Sequence, residues 1–143
     1  MIAEQTFDVD LVTRCVLSNW EWLHDDGMTD PDFYFPPMDK LWVRVGDYGV
    51  FLLTQNNHVT FECHTALLPN ARGKAVEIGK AALAWAFKHT PAKRVITAVP
   101  ENNPLALRMA LKSGFKIYGI NPGSFSRNGE LLSQTLLGIS KGE

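Results

Sequence analysis

Two stretches of this chain decide its fold. Residues 64–83 read HTALLPNARGKAVEIGKAAL, and residues 99–115 read VPENNPLALRMALKSGF. The first stretch predicts a strand, a turn at Arg-Gly-Lys and then a helix whose Ile78 and Ala82 share one face. The second predicts the end of a strand followed by a helix, because Asn103 is a favourable N-cap and Gly114 suits a helix exit.

The sequence before these stretches predicts a helix, a long loop and a three-stranded meander. Asp8 is a favourable N-cap, and apolar residues follow it at helical spacing as far as Trp20. Residues 25–40 contain three prolines and an aromatic cluster at 33–35, and loops of this length are often functional. Three strand-like runs follow, separated by Gly-Asp and Asn-Asn pairs, which predicts antiparallel pairing.

The whole pattern predicts one domain over residues 1–143, of the α/β class in an α+β arrangement. Its sheet is expected to be mixed and mostly antiparallel, with helices on both faces. The predicted elements are strand 2–7, helix 9–24, loop 25–40, strands 41–45, 48–54 and 58–67, helix 74–88, strand 94–99, a helix between Asn103 and Gly114, and strands 115–120 and 131–139. Turn-forming residues dominate the connection NPGSFSRNGEL, residues 121–131, so we expect a loop there.

This element order and the two stretches resemble the GNAT superfamily of N-acetyltransferases. The resemblance covers nearly the whole chain, and the motifs that carry it are Arg72-Gly73, Asn103, Ala106 and Gly114-Phe115. It implies the same mixed sheet, acetyl-CoA as cosubstrate and an amine as acceptor. A weaker resemblance, to acetyltransferase-like head-assembly accessory proteins of tailed phages, implies a non-catalytic role with a virion or other protein partner.

The resemblance places the pyrophosphate of acetyl-CoA on the turn between residues 72 and 77. A helix N-terminus binds anions through unpaired N–H groups and the positive end of its dipole. The implied cofactor-binding residues are the turn residues and Asn103, together with two strand residues that act through main-chain N–H groups. These residues are Ala66, Leu67, Arg72, Gly73, Lys74, Ala75 and Asn103.

The turn departs from the family pattern at two positions. Ala75 replaces the first glycine of the pattern, and Glu77 brings a carboxylate close to the implied diphosphate. A shifted register, in which Gly79 stands for a family glycine, remains an alternative. So does the simpler interpretation that Arg72, Lys74 and Glu77 are only a solvated helix start.

Two residues on the strand before the turn are candidates for the general base. Glu62 and His64 are two positions apart, so both side chains point to the same face of a strand. The simpler interpretation is a half-exposed polar pair. The resemblance also implies a general acid at the position of Ala110, where many family members have a Tyr. Asn103 has a structural alternative as well, because it caps a helix.

Charge balance and cysteine count limit the remaining function classes. Lys and Arg number 14 and Asp and Glu number 15, so the net charge of -1 gives no general attraction to nucleic acid or to an anionic membrane. Cys15 and Cys63 have no metal-ligand spacing and lie on apolar sides, so we expect buried thiols and no metal site. The first residues do not resemble a signal peptide and no apolar run approaches a membrane span, so we expect a cytoplasmic or virion-associated protein.

Two hypotheses follow from the sequence. The first is an acyl-CoA-dependent N-acetyltransferase acting on a small-molecule or protein amine, with Glu62 or His64 as base. The second is a non-catalytic GNAT-fold protein of phage head assembly, which Glu77 and Ala110 favour. Acetyl-CoA binding would support the first hypothesis, and an exposed aromatic or apolar patch would support the second.

Overall fold

Seven strands and four helices make up the part of the chain that the computed structural model describes, residues 1–28 and 30–143. Thr29, which falls in the predicted loop 25–40, lies outside the described residues. The strands are β1 (Ala3–Gln5), β2 (Leu41–Val45), β3 (Gly49–Gln55), β4 (Thr60–Leu67), β5 (Arg94–Pro100), β6 (Lys116–Arg127) and β7 (Glu130–Ser140). The helices are α1 (Val9–Ser18), α2 (Trp20–Leu23), α3 (Ala75–His89) and α4 (Pro104–Lys112), and short 3-10 turns lie at Pro31–Phe33 and Pro69–Ala71.

One sheet contains all these strands in the order β1-β2-β3-β4-β5-β7-β6. Neighbouring strands are antiparallel except β4 and β5, which are parallel. This confirms the predicted mixed, mostly antiparallel sheet. No helix in the described part of the chain is long and apolar enough to cross a membrane.

Two apolar clusters cover the two faces of the sheet. Leu11 and Val12 of α1 pack on one face against Trp42 and other strand residues. Helices α3 and α4 pack on the opposite face against Val43 and its neighbours. Trp42 and Val43 are adjacent in β2 yet lie in different clusters, because successive side chains of a strand point to opposite faces. Both cysteines are buried free thiols, as the sequence predicts.

The predicted helix 9–24 is divided at Asn19, which separates α1 from α2. The Asn19 side chain donates hydrogen bonds to the Cys15 carbonyl (2.8 Å) and to the Leu67 carbonyl at the end of β4 (2.7 Å). A side chain that bonds to the backbone in this way competes with helix continuation. At the point where the helix breaks, the Asn19 side chain therefore links the end of α1 to the end of β4.

The prediction of a loop over residues 121–131 is wrong. Strands β6 and β7 continue through this segment and are joined only by Asn128 and Gly129, whose φ angles are 54° and 77°. Two successive positive φ angles define a type I′ hairpin turn, which Asn-Gly favours. The Pro-Gly-Ser sequence before it is accommodated where the register shifts between Asn121 and Phe125. The result is a long hairpin that carries Phe125 to the cleft described below.

The close approach of β3 to the end of β4 depends on Gly49. A Cβ atom at this position would lie 2.7 Å from the Ala66 carbonyl oxygen and 2.8 Å from Leu67 Cα. Both are backbone atoms, which cannot move without shifting the strand. Gly49→Ala should therefore lower the free energy of unfolding by about 1–3 kcal/mol, measured by urea denaturation.

Gly119→Ala is the matched control, because a Cβ there would meet only Leu136 Cδ1 at an ordinary 3.8 Å. It should leave stability within about 1 kcal/mol of the parent chain. Equal losses in the two variants would contradict the packing argument.

Candidate active site

Strands β4 and β5 separate soon after they begin to pair. Their parallel ladder joins only Thr60 to Arg94, Phe61 to Val95 and Glu62 to Ile96. Beyond these pairs both strands continue, to Leu67 and Pro100, without pairing to each other. Helix α3 follows β4 and α4 follows β5, so both helices begin at the edge of the sheet where the split is open.

A side-chain hydrogen bond crosses the point where the two strands diverge. Thr97 Oγ1 donates to the Cys63 carbonyl at 2.9 Å. This bond satisfies a carbonyl that has lost its strand partner. It also defines the closed end of the split.

A cavity of about 530 Å³ lies in this split and is lined from both faces of the sheet. Val99 contributes to its wall on the α3–α4 face, and His64 contributes on the α1 face. The volume lies in the range of small-molecule sites. A single space is therefore reachable by groups from the two sides of the sheet.

The register of β4 determines which backbone N–H groups face the split. Leu68 N–H donates to the Tyr48 carbonyl (2.8 Å) and Asn56 N–H donates to the Thr60 carbonyl (2.9 Å), so even-numbered residues of β4 bond to β3. Thr65 and Leu67 therefore direct their N–H groups into the split. Ala66 directs its N–H toward β3. Of the two strand residues predicted to act through main-chain N–H groups, Leu67 directs its N–H into the split and Ala66 does not.

The N-terminus of α3 presents several open backbone N–H groups. Lys74 is the N-cap, and no described side chain caps this end. By contrast, Asp8 caps α1 and Asn103 caps α4 with their side chains. Gly73 has a φ of 80°, which allows the turn, and Ala75 is unstrained at the position of the family glycine because its φ is not positive. A groove of about 380 Å³ lies against this turn, lined by Leu67, Leu68, Pro69, Ala71, Arg72 and Ala75.

Charged side chains around this turn point in different directions. Lys74 Nζ donates to the Tyr48 hydroxyl at 2.9 Å and lies 4.8 Å from the centre of its ring. The hydrogen bond to Tyr48 raises the pKa of Lys74. Arg72 and Glu77 are exposed, and Glu77 lies in the first turn of α3, where an acidic residue favours the helix.

Helix α4 forms the opposite wall of the cavity on the same face. Asn103 Oδ1 accepts from the Ala106 N–H at 3.2 Å, so this residue caps the helix. Ala106 and Ala110 line the cavity one turn apart, and Ala110 offers only a methyl group where the family resemblance implies an acid. Gly114 ends the segment with a φ of 108°.

The two predicted base residues lie side by side on the α1 face. His64 Nε2 is 3.5 Å from Glu62 Oε1, and the two side chains are 50% and 32% exposed. His64 lines the cavity, and Glu62 faces the Nε2 atom of its ring. The alternation of β4 therefore brings together the pair that the sequence analysis singled out.

Aromatic and polar side chains surround the cavity on the α1 face. Trp22, Asp25 and Tyr34 come from α2 and the loop after it, and Phe125 and Gln134 come from the β6–β7 hairpin. Burial raises the pKa of the Tyr34 phenol, so it stays protonated at neutral pH. Within the described residues no group of three or more His, Cys, Asp or Glu side chains could hold a metal ion.

Asp26 ties the loop after α2 to the tip of the hairpin. Its carboxylate accepts hydrogen bonds from the Ser126 hydroxyl, from the Asn128 N–H (2.7 Å) and from the Gly129 N–H (3.1 Å). These donors, Ser126 first and Gly129 second, lower the pKa of Asp26. The contact holds together the two segments that border the cavity on this face.

Three residues of this region were not recognised from the sequence. Thr97 bridges the split, Asp26 fastens its border, and Ser113 places a buried hydroxyl without a described hydrogen-bond partner beside α3. The segments that these three residues contact are distant in the chain, so local patterns do not identify them. The one available signal was Asn-Gly at 128–129, which predicts a type I′ hairpin turn at this position.

Comparisons with known proteins show the family and the fold of the chain. Residues 30–112 match the model of a family described as protein of unknown function (DUF2824). The chain belongs to this family. No curated protein matches the DUF2824 chain.

Solved structures show that the DUF2824 chain has the GNAT fold. An acetyltransferase of the GNAT family from Bacillus anthracis superposes with a TM-score of 0.75 at 17% identity, covering 99% of this chain and 95% of the other. A mutant spermidine N-acetyltransferase from Vibrio cholerae gives 0.72 at 17% identity, covering 98% and 95%. The Vibrio cholerae enzyme in complex with CoA and spermine gives 0.67 at 16% identity, covering 97% and 94%.

The Asp26 contact makes the stability of the DUF2824 chain sensitive to acid. Because the folded-state pKa of Asp26 lies below its unfolded value, the stabilisation is complete above the unfolded pKa of about 3.9 and is lost as the pH falls through the folded pKa. Thermal midpoints measured from neutral pH down into this range should fall less steeply for Asp26→Asn than for the parent chain. Asp39→Asn, at an exposed carboxylate, should follow the parent curve. Parallel curves for Asp26→Asn and the parent would contradict the assignment.

Proposed function

We propose that this chain binds a CoA thioester in the split between β4 and β5 and transfers its acyl group to an amine. The observation that carries the proposal is the split itself, with a cavity lined from both faces of the sheet. The CoA thioester and the amine must reach each other at the thioester carbonyl carbon from different directions. A cavity that is lined from both faces of the sheet allows this. The fold shared with acetyltransferases, one of them a complex with CoA and spermine, supports the proposal.

The residues at the split fit the polar and apolar parts of CoA. The open N–H groups at the start of α3 and the exposed Arg72 suit a diphosphate. Asn103 borders the cavity, although its side-chain oxygen is used as a helix cap. When bound, an acyl-CoA supplies an activated acyl group attached to a thiolate leaving group. Lys74 contributes positive charge near the turn while its ammonium group is held by Tyr48.

Two backbone N–H groups bind carbonyl oxygens of the donor in this proposal, one the acyl carbonyl of the thioester and the other an amide carbonyl of the pantetheine. Thr65 and Leu67 direct their N–H groups into the split, and neither has a partner strand there. Preorganised donors of this kind stabilise negative charge as it develops on a carbonyl oxygen, typically by about 3–4 kcal/mol for each donor. The Leu67 carbonyl accepts a hydrogen bond from the Asn19 side-chain amide. This bond fixes the orientation of the peptide group that follows Leu67.

His64 is the proposed general base. With Nε2 facing Glu62, its Nδ1 is the nitrogen available to take a proton from an attacking amine. Glu62 orients the ring and stabilises the imidazolium that forms, as the carboxylate of a catalytic triad does. Because Ala110 cannot donate a proton, the departing thiolate receives its proton from solvent.

Binding of CoA tests the proposal directly. Acetyl-CoA or CoA at one hundred times its Kd should stabilise the folded chain by about 2.7 kcal/mol in a thermal-shift titration. Arg72→Ala should weaken binding about fivefold, the loss of one exposed charge pair of ~1 kcal/mol. Arg14→Ala, on the exposed side of α1, should bind as the parent does. Absence of both a thermal shift and a heat of binding at millimolar CoA would overturn the proposal.

The role of His64 is tested by the release of CoA from acetyl-CoA in the presence of spermine, spermidine and simple primary amines. His64→Gln should lower kcat at least about 100-fold and remove the rising limb of the pH profile. His58→Gln, at an exposed position before β4, should leave both unchanged. Equal rates in the two variants would exclude His64 as the base.

A second candidate function is a non-catalytic role in protein assembly on the same fold. One observation favours it: Phe33 and Phe35 are 84% and 76% exposed on either side of the half-buried Tyr34. Exposed aromatic rings of this kind often mark protein contacts. Binding of acetyl-CoA without release of CoA from it in the presence of any amine, together with loss of particle or partner binding in Phe33→Ser, would select this candidate over the enzyme.

A further inference from the structure

Side chains from other elements cap two carbonyl groups on the open edge of β4. A strand residue directs its N–H and its carbonyl to the same side, so Cys63, Thr65 and Leu67 direct both groups away from β3 and into the split. The Cys63 carbonyl accepts from Thr97 Oγ1 of β5 at 2.9 Å. The Leu67 carbonyl accepts from Asn19 Nδ2, at the junction of α1 and α2, at 2.7 Å.

These caps change the electrostatic character of the edge. An uncapped carbonyl would repel the carbonyl oxygens of an entering ligand, and it would lose its own hydrogen bond when the ligand displaces water. With the Cys63 and Leu67 carbonyls occupied, the N–H groups of Thr65 and Leu67 stay available. The edge of β4 therefore favours a ligand that binds through its carbonyl oxygens.

Asn19 is held in one orientation by two carbonyl groups. Its Nδ2 also donates to the Cys15 carbonyl of α1 at 2.8 Å. A carbonyl oxygen needs a donor, so Asn makes both bonds and an ionised Asp could make neither. The peptide group between Leu67 and Leu68 is held on its other side as well, because the Leu68 N–H donates to the Tyr48 carbonyl at 2.8 Å. Asn19 therefore fixes the end of β4 from the side of α1.

We propose that Asn19 is a positioning residue for the acyl donor. Its bond to the Leu67 carbonyl holds the adjoining main chain so that the Leu67 N–H stays directed at a carbonyl oxygen of the ligand. The inference rests on the proposed function, because it needs a CoA thioester in the split. It adds that a residue on the acceptor side of the sheet sets the affinity for the donor, since Asn19 directly precedes α2, whose Trp22 lines the cavity.

Asn19→Asp tests this role, because it keeps the size of the side chain and removes its donor. The carboxylate would face two carbonyl oxygens, so the end of β4 would be released from α1. In isothermal titration the Kd of acetyl-CoA should rise about tenfold, as for the loss of one hydrogen bond of ~1.4 kcal/mol. In steady-state assays the KM of acetyl-CoA should rise with it, while the KM of the amine stays unchanged.

Asn57→Asp is the matched control. It makes the same change of charge in the exposed turn before β4, at the opposite end of the strand from Leu67. Asn57 Oδ1 accepts from the N–H groups of Val59 and Thr60, and a carboxylate accepts from them equally. Its Kd for acetyl-CoA should equal that of the parent chain. Circular dichroism and thermal melting establish that both variants are folded, and Asn19→Ala replaces Asn19→Asp if the latter is not.

A spectroscopic measurement observes the positioned group itself. In amide spectra of protein containing isotope-labelled leucine, saturating acetyl-CoA should shift the Leu67 resonance of the parent chain and of Asn57→Asp. The shift should be much smaller in Asn19→Asp, because the Leu67 N–H is no longer held toward the ligand.

The outcomes separate the two proposals. Equal Kd values and equal Leu67 shifts in Asn19→Asp and the parent would overturn the positioning role and leave the proposed function standing. A parallel rise in the KM of both substrates would also overturn it, because Asn19 would then act only on the packing of α1. Absence of acetyl-CoA binding by the parent chain would overturn the proposed function itself.

Discussion

The short parallel pairing of β4 with β5 is the constraint on which the rest of the structure depends. After Glu62 and Ile96 the two strands no longer share hydrogen bonds, and Thr97 closes the gap at the Cys63 carbonyl. Backbone groups inside a protein are almost always paired, so a strand that leaves its N–H groups free needs a ligand or water in their place. The split is stable because β3 on one side and β7 on the other hold the diverging strands in antiparallel ladders along their full length.

The side chains around the cavity also differ between the two faces of the sheet. On the α3–α4 face the walls of the cavity are apolar, and the N-terminus of α3, which no described side chain caps, lies at its edge. On the α1 face the same cavity meets His64, with Glu62 behind its ring, and a border of aromatic side chains. Because alternate residues of β4 point to opposite faces, one strand contributes both the buried Cys63 and the half-exposed His64. In the proposed reaction, the amine would attack the carbonyl carbon of the CoA thioester in the split between the two faces.

Much of the fold could be predicted because its patterns are local. Strand β2 has the predicted bounds, and β3, β4, β5 and α3 differ from prediction by one or two residues, since each has a clear periodicity and a turn former at its ends. The failures have identifiable causes. The helix 9–24 is broken by a hydrogen bond from Asn19 to Leu67, a residue far away in the chain. The segment 121–131 looks like a loop because of its turn formers, yet a register shift absorbs Pro122 and Gly123 within β6.

Sequence alone determined the order of elements, the helix caps at Asp8 and Asn103, and the shared face of Glu62 and His64, because caps and alternation act within a few residues. It also predicted a helix after the turn at Arg72-Gly73, and α3 begins there at Ala75. Only the tertiary structure decided that Thr65, with Leu67, directs its N–H into the split, because that direction depends on the register between strands. The same holds for Thr97, Asp26 and the space beside Ala110. These features arise from contacts between residues that the chain brings together only when the sheet and its helices have packed.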